Sequence, residues 1–187
     1  MSESSRSRAF AIAVIAGLAA AMLLIAIADA QAKLVAPRAK CPDQGKIKAP
    51  EPAQEKAMRC LINYARSHAG ARSVSSQTSL EKAAGRKAGD VMRCGFSHTA
   101  CGLPADIYAR RFGYTSASSW SWGENLAWGR GGLGSPRSIL KAWLNSPPHR
   151  ATMLNGSFEH MGLGLKRGSF GGHANAAVWV LEIGCHC

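Results

Sequence analysis

The middle of the chain carries a carboxylate in surroundings that suit chemistry. Glu124 lies in the segment Trp120 to Trp128, and a two-residue period would place it on one face of a strand together with tryptophans. A buried carboxylate is costly unless it finds a cationic partner. We therefore expect Glu124 to pair with a histidine or arginine from elsewhere in the chain. The alternative is a carboxylate that only holds a loop by hydrogen bonds.

Two histidines stand out, because each has rigid neighbours. His98 lies between Cys94 and Cys101, which we expect to form a local disulfide, and His149 directly follows two prolines. A site built for geometry needs side chains that are held in this way. Each histidine taken alone also fits a purely structural role.

These three residues allow two kinds of chemistry. His98 or His149 could act as a general base that Glu124 orients, which is the arrangement of a hydrolase. Two histidines, one carboxylate and an open position also make a zinc-like ligand set, although residues from three separate segments give no support from spacing. Ser97 and Ser146 lie beside the histidines, but neither is part of a recognised catalytic serine motif.

The elements that must position these residues follow from hydrophobic periodicity. Helical spacing begins at Ala53 and ends at Gly70, and a second helix runs from Thr78, with Glu81 completing a capping box, to Met92. The pattern also predicts a short helix over 104–112 and a further helix that begins at Ser135-Pro136 and ends at Pro147-Pro148. One strand is predicted in the middle of the chain and two strands in its last third. Helices first and strands late indicate an α+β layered domain.

The N-terminus has the layout of an export signal. Arg6 and Arg8 precede an apolar run over 9–28, and small residues then allow cleavage after Ala30 or Ala32. The run is also just long enough to span a bilayer, so residues 1–32 are interpreted as a signal peptide or a retained N-terminal anchor. Either way the rest of the chain would be secreted, extracellular or periplasmic. Four prolines within 33–52 predict a linker, and residues 53–187 are predicted to form one domain.

All six cysteines lie beyond the apolar run, and an even number in an exported chain indicates disulfides. Cys94 and Cys101 are predicted to pair. Cys185 and Cys187 are only two residues apart, so each is expected to reach a distant partner such as Cys41 or Cys60. A zinc site is the competing interpretation, but the sequence has no CxxC pair.

The chain is basic, with 23 Lys and Arg against 11 Asp and Glu and a net charge of +12. Such a surface attracts anions, and outside the cell these would be lipid headgroups, wall polymers or glycans. Solubility alone is the other explanation. Because the sequence has no nucleic-acid-binding signature, we expect no nucleic-acid partner.

Four motifs in order resemble the CAP superfamily, which contains cysteine-rich secretory proteins, antigen 5 and plant pathogenesis-related proteins. The resemblance covers roughly residues 53–184 and is strongest to bacterial secreted members. A segment over 60–66 also resembles the family's opening helix. The four motifs are Phe96-Ser97-His98, Gly123-Glu124-Asn125-Leu126-Ala127, the stretch 142–150 that ends in Ser146-Pro147-Pro148-His149-Arg150, and Met161-Gly162-Leu163-Gly164.

The resemblance implies a three-layer α-β-α sandwich (an SCP-like fold) with a small antiparallel sheet and a central cleft. The usual cleft tetrad is two histidines and two glutamates. His98, Glu124 and His149 match three positions, whereas the fourth falls on Ser146. The resemblance favours a binding module for a lipid-like or cell-envelope ligand, with zinc or another divalent metal at His98, His149 and Glu124. The alternative is a protease-like hydrolase that uses the same three residues.

Overall fold

The computed structural model describes residues 33–187, so the predicted signal peptide or anchor over 1–32 lies outside the described residues. Five helices and four strands are labelled here in chain order. The helices are α1 (Glu51–His68), α2 (Thr78–Cys94), α3 (Ile107–Arg111), α4 (Pro136–Asn145) and α5 (Pro147–Leu154). The strands are β1 (Ser75–Ser76), β2 (Ser121–Arg130), β3 (His160–Phe170) and β4 (His173–Cys185).

The sheet has the strand order β1-β3-β4-β2. β4 pairs antiparallel with both of its neighbours, while the two-residue β1 runs parallel to β3. The predicted antiparallel sheet is therefore correct for the three long strands, and the short β1 makes the whole sheet mixed. The central strand β4 is almost wholly apolar because it is covered on both faces, which a buried central strand requires.

Helix α2 covers one face of the sheet at backbone contact distance. A Cβ at Gly162 would lie 2.0 Å from the Leu80 carbonyl carbon, and one at Gly164 would lie 2.2 Å from the Ala84 oxygen. Apolar side chains fill the space beside this contact, in a core that includes Ala84, Ala88, Val91, Leu126, Val178 and Val180. Only glycine permits so close an approach of helix and strand.

Three helices cover the opposite face. The backbone N–H of Leu165 donates to Glu55 Oε1 of α1 at 3.1 Å, and Asn125 Nδ2 donates to the His149 oxygen of α5 at 2.8 Å. Helix α4 buries Ile139, Leu140, Trp143 and Leu144. The predicted three-layer α-β-α arrangement is confirmed.

The helix boundaries follow local rules, with two corrections. Ser135 caps α4 as predicted, since its side chain accepts from the Ser138 N–H at 3.3 Å. At α2 the cap is Gln77, and Thr78 is already helical, so the predicted capping box is wrong. Pro147 and Pro148 do not only end α4. They also begin α5, because proline fits the first turn of a helix, where no amide partner is needed.

The segment over 35–52 was predicted as part of a linker, and here the structure differs. It belongs to the same compact unit as the rest of the described domain. Arg137 ties it down, because its Nη1 donates to the Ala36 oxygen at 2.7 Å and its backbone N–H to the Gln44 oxygen at 2.8 Å. Cys41 and Gln44 are both buried. The prolines shape a loop that packs against the domain.

Three disulfides are present in the described domain. Cys94–Cys101 confirms the predicted local pair. Cys185 pairs with Cys187, so the prediction that each would reach a distant partner is wrong, and Cys41 pairs instead with Cys60. The chain turns at the end of β4 and brings the Cα atoms of Cys185 and Cys187 to 5.4 Å, within the usual range for a disulfide.

Arg66 of α1 is a fully buried cation that holds distant segments together. Among the residues that the structure describes, its guanidinium donates only to backbone carbonyls, at 2.8 to 3.0 Å. The acceptors are the oxygens of Arg72, Met153, Asn155 and Phe158. This side chain therefore joins α1 to the end of α5 and to the loop before β3.

Within residues 33–187 no helix is long and apolar enough to cross a membrane.

Candidate functional site

The site begins at the loop that leaves α2. The Cys94–Cys101 disulfide closes this loop, and the buried Lys87 of α2 fixes it from below, because Lys87 Nζ donates to the His98 carbonyl oxygen at 2.7 Å. His98 is thus held at the backbone, while its side chain remains 53% exposed. The disulfide and the Lys87 hydrogen bond thus both restrain the loop that carries His98.

His98 and Glu124 are brought together as predicted. His98 Nδ1 lies 2.6 Å from Glu124 Oε1, and the Glu124 side chain is only 2% exposed. Since a carboxylate only accepts, Nδ1 carries the proton and Nε2 is left for other partners. The hydrogen bond to Glu124 is the main reason that the pKa of His98 is raised above its ordinary value, against the opposing effects of burial and of the Lys87 charge.

The second oxygen of Glu124 faces a lysine. Glu124 Oε2 lies 3.9 Å from Lys87 Nζ, and the Lys87 side chain is 1% exposed. This oxygen accepts no hydrogen bond from the residues that the structure describes. Lys87 therefore supplies the buried counter-charge, which is what a carboxylate in this position requires.

Glu182 adds a second buried carboxylate. It stands directly opposite Glu124 in the β2–β4 register, on the same face of the sheet, and is 1% exposed. Trp122 Nε1 donates to Glu182 Oε2. Burial and the neighbouring charge of Glu124 raise the pKa of Glu182 well above its ordinary value. The buried charge cluster of Lys87, Glu124 and Glu182 thus supports the exposed imidazole of His98.

Sequence reasoning missed Glu182 and the role of Lys87. Glu182 is one acid inside a long apolar run, and Lys87 has the same helical spacing as the buried apolar residues of α2. A signal was available, because a glutamate in a strand that is otherwise buried on both faces must meet another polar group.

His149 is near the pair but does not join it by a direct bond. It is the third residue of α5, and its carbonyl oxygen accepts from Asn125, the residue after Glu124. Burial and the positive charge of His98 lower the pKa of His149. No hydrogen bond is found in the described part of the chain between the His149 ring and His98 or Glu124. The predicted three-residue site is therefore a direct pair with His149 in its vicinity.

Two of the three predicted metal ligands, His98 and Glu124, contact each other in the described part of the chain. No group of three or more His, Cys, Asp or Glu side chains within 33–187 is arranged to hold an ion. His98 Nδ1 and Glu124 Oε1 already bind each other, and Glu124 Oε2 faces the ammonium of Lys87, which would repel a cation. Zinc binding stays a prediction.

The comparisons with known proteins agree with the fold. Residues 60–183 match the model of the CAP, cysteine-rich secretory protein family. This chain belongs to that family. It is similar to the uncharacterized protein YkwD of Bacillus subtilis (strain 168), with 33% identity over 115 residues, which is 60% of this chain and 42% of that protein. The chain thus spans less than half the length of this relative.

Two solved structures share the fold. An extracellular protein containing a SCP domain from Bacillus anthracis has a TM-score of 0.55 and 18% identity over 72% of this chain and 43% of that one. An outer surface protein from Borrelia burgdorferi has a TM-score of 0.58 and 21% identity over 73% of this chain and 95% of that one. At these identities the likeness concerns the fold alone.

Proposed function

We propose that this chain is an exported binding module for an acidic, lipid-like molecule of the cell envelope, and that His98 contacts the headgroup. The observation that carries the proposal is the exposed imidazole of His98 held 2.6 Å from the buried Glu124. Export is supported by the N-terminal sequence, by three disulfides and by the two structural neighbours, which are described as extracellular and outer surface proteins.

The protonation of His98 suits an anionic group. A raised pKa extends the pH range in which the imidazole is protonated, and Nε2 then donates toward solvent while Nδ1 donates to Glu124. A charged donor to an oxyanion makes a stronger hydrogen bond than a neutral one. The net charge of +12 would further favour the approach of an anionic ligand.

An apolar contact lies in the same disulfide-closed loop. Phe96 is 50% exposed, although large aromatic side chains are usually buried. It lies two residues before His98, so an apolar ring and a polar donor belong to one rigid loop. An amphiphilic ligand with an acidic head and an acyl chain matches this combination.

Hydrolysis is the second candidate, and the His98–Glu124 pair is the specific observation that favours it. When His98 is neutral, its Nε2 lone pair could accept a proton from water. Among the described residues neither neighbouring serine is hydrogen-bonded to the ring of His98 or His149, and Ser97 Oγ instead contacts the Thr99 hydroxyl at 3.0 Å. Binding therefore ranks first.

A soluble single-chain lipid tests the proposal. Lysophosphatidylglycerol and lysophosphatidylcholine, each kept below its micelle concentration, would be titrated by calorimetry at about 0.15 M salt, where distant charges are screened. We expect tighter binding of the anionic lipid, stronger at pH 6 than at pH 8.5. His98→Gln and Phe96→Ser should each weaken it about tenfold, the effect of losing about 1.4 kcal/mol.

The matched control is His68→Gln, since His68 is also exposed but stacks on Tyr64 away from this loop. Equal affinity for the two lipids, or unchanged binding in His98→Gln, would refute the binding proposal. Release of fatty acid or headgroup that is lost in His98→Gln would instead establish the hydrolase.

A further inference from the structure

A cavity that shares no residue with the His98–Glu124 pair lies between the N-terminal segment of the domain and the β3–β4 hairpin. Its volume is about 640 Å³, which is within the usual range for small-molecule sites of about 300–1,000 Å³. We call it the basic cavity. The residues that line it include two cations and no acid, and they are Ile47, Lys48, Gly131, Arg167, Gly168, Ser169, Ala174 and Asn175.

Arg167 is held in place by the interior of the protein. Its Nη2 donates to Oε1 of Gln54, which is fully buried. Gln54 Nε2 in turn donates to the carbonyl oxygens of Ala49, at 2.6 Å, and Ile47, at 3.3 Å. The guanidinium is therefore fixed from behind, so little conformational entropy would be lost when a ligand binds to it.

Arg167 also lacks an anionic partner. Within residues 33–187 it forms no ion pair with a carboxylate, whereas the neighbouring Lys166 lies 4.0 Å from Glu51. Its Nε is buried and has no acceptor among the described residues. Burial lowers the pKa of Arg167, and the charge of Glu51 only partly opposes this. A half-buried guanidinium without a carboxylate is a fixed charge that an incoming oxyanion would compensate.

The hairpin shapes the other wall of the cavity. The β3–β4 register shifts between Gly168 and Phe170, and Asn175 has a positive φ of 56°. Such irregularities bend a strand away from its partner and are frequent beside binding sites. The wall that results consists of small and polar residues, which suit hydroxyl groups better than an acyl chain.

We propose that the basic cavity binds an acidic saccharide, with the ligand's carboxylate against Arg167 and Lys48 and its sugar hydroxyls against the hairpin wall. The site is independent of the lipid-like ligand proposed for His98, because the two sites have no residue in common. An exported protein with both sites could hold an envelope polymer at one and a lipid-like molecule at the other.

A pair of sugars that differ in one group tests the idea on the complete mature protein. N-acetylmuramic acid is N-acetylglucosamine with an added lactyl carboxylate, so the comparison isolates the charge. We expect the acid to bind at least tenfold more tightly in an NMR titration, with shifts at Ser169, Ala174 and Asn175. Arg167→Gln should weaken binding about tenfold and Lys48→Gln about threefold.

Controls keep the test decisive. Lys46→Gln should leave binding unchanged, because Lys46 is exposed and pairs with Asp43 at 2.7 Å. Lys48 is exposed, so Lys48→Gln is expected to fold and would report even if Arg167→Gln were unstable. The proposal fails if both sugars bind equally, if Lys48→Gln binds as tightly as the parent, or if inorganic phosphate binds as tightly as the acid sugar.

Discussion

Two fully buried cations, Arg66 and Lys87, perform different tasks. Arg66 donates to four neutral carbonyl oxygens, whereas Lys87 lies among two carboxylates and the loop that carries His98. The partners of Arg66 do not titrate, so its contribution to the free energy of unfolding should not depend on pH. Glu182, a charged neighbour of Lys87, has a raised pKa, so the contribution of Lys87 should depend on pH.

The chemistry of their partners separates Arg66, which holds the fold together, from Lys87, which supports the His98–Glu124 site. Carbonyl acceptors join distant segments and cannot change their charge. Carboxylate acceptors can exchange protons, which links the interior around Lys87 to the exposed imidazole of His98. Perturbed groups of this kind are typical of functional sites. Three substitutions test this contrast.

Arg66→Met should have the largest effect. It leaves four carbonyl oxygens without their donor and is expected to cost about 4 kcal/mol or more of unfolding free energy. Urea unfolding at pH 5.5 and pH 8 should show the same loss at both values. Arg72→Met is the control, since Arg72 is 79% exposed and should have little effect. A loss of unfolding free energy that differs clearly between the two pH values would contradict the conclusion that Arg66 acts only through carbonyl groups that do not titrate.

Lys87→Met should come second. It removes the counter-charge of Glu124 and Glu182, and breaking a buried ion pair costs about 3 kcal/mol or more. We expect the loss at pH 8 to exceed that at pH 5, because the pKa of Glu182 is raised and its protonation at the lower pH relieves the unpaired charge. Lys82→Met, on the exposed side of the same helix, is the matched control. A loss that is equal at both pH values would show that Lys87 acts only by packing and by its bond to the His98 carbonyl.

Glu182→Gln should have the smallest effect, and it should be stabilising. Because the pKa of Glu182 is raised in the folded state, the parent loses stability as pH rises above the unfolded value near 4.5 toward the folded value. Glutamine stays neutral and keeps an acceptor for Trp122. We expect a gain of about 1 kcal/mol at pH 8, or about 3 °C in Tm, that vanishes near pH 4.

Thermal unfolding of Glu182→Gln and Glu159→Gln between pH 4 and pH 8 measures whether the loss of the buried carboxylate stabilises the protein. Glu159 is 45% exposed and serves as the control. If Glu182→Gln proved less stable than the parent at pH 8, the buried carboxylate would be a stabilising ion-pair partner of Lys87 instead.

The parts of the fold that depend on local chemistry were predictable. Helical spacing located α1 and α2, Ser135 identified the start of α4, and the two strands predicted in the last third are β3 and β4. The loop disulfide was predicted from two cysteines seven residues apart. The family resemblance placed His98 and Glu124 in one cleft, where they form a direct pair. The family resemblance supplied the layered arrangement.

Features that depend on long-range packing were not predictable. The proline-rich residues over 35–52 resemble a linker in sequence. They are held by Arg137, about 100 residues away, which donates to the carbonyl oxygens of Ala36 and Gln44. The pairing of Cys185 with Cys187 depends on how the chain turns after β4. Glu182 was missed because its partner belongs to another strand, and only the β2–β4 register places it opposite Glu124.

The contact of α2 with Gly162 and Gly164 limits how this domain can vary. A methyl group at either position would meet helix backbone at 2.0 to 2.2 Å, where nothing can rotate aside. A library that randomises β3 should therefore recover glycine at these two positions and tolerate exchange at Lys166, whose side chain is half exposed. The absence of a side chain at Gly162 and Gly164 thus sets the distance between the sheet and α2, the helix that carries Lys87.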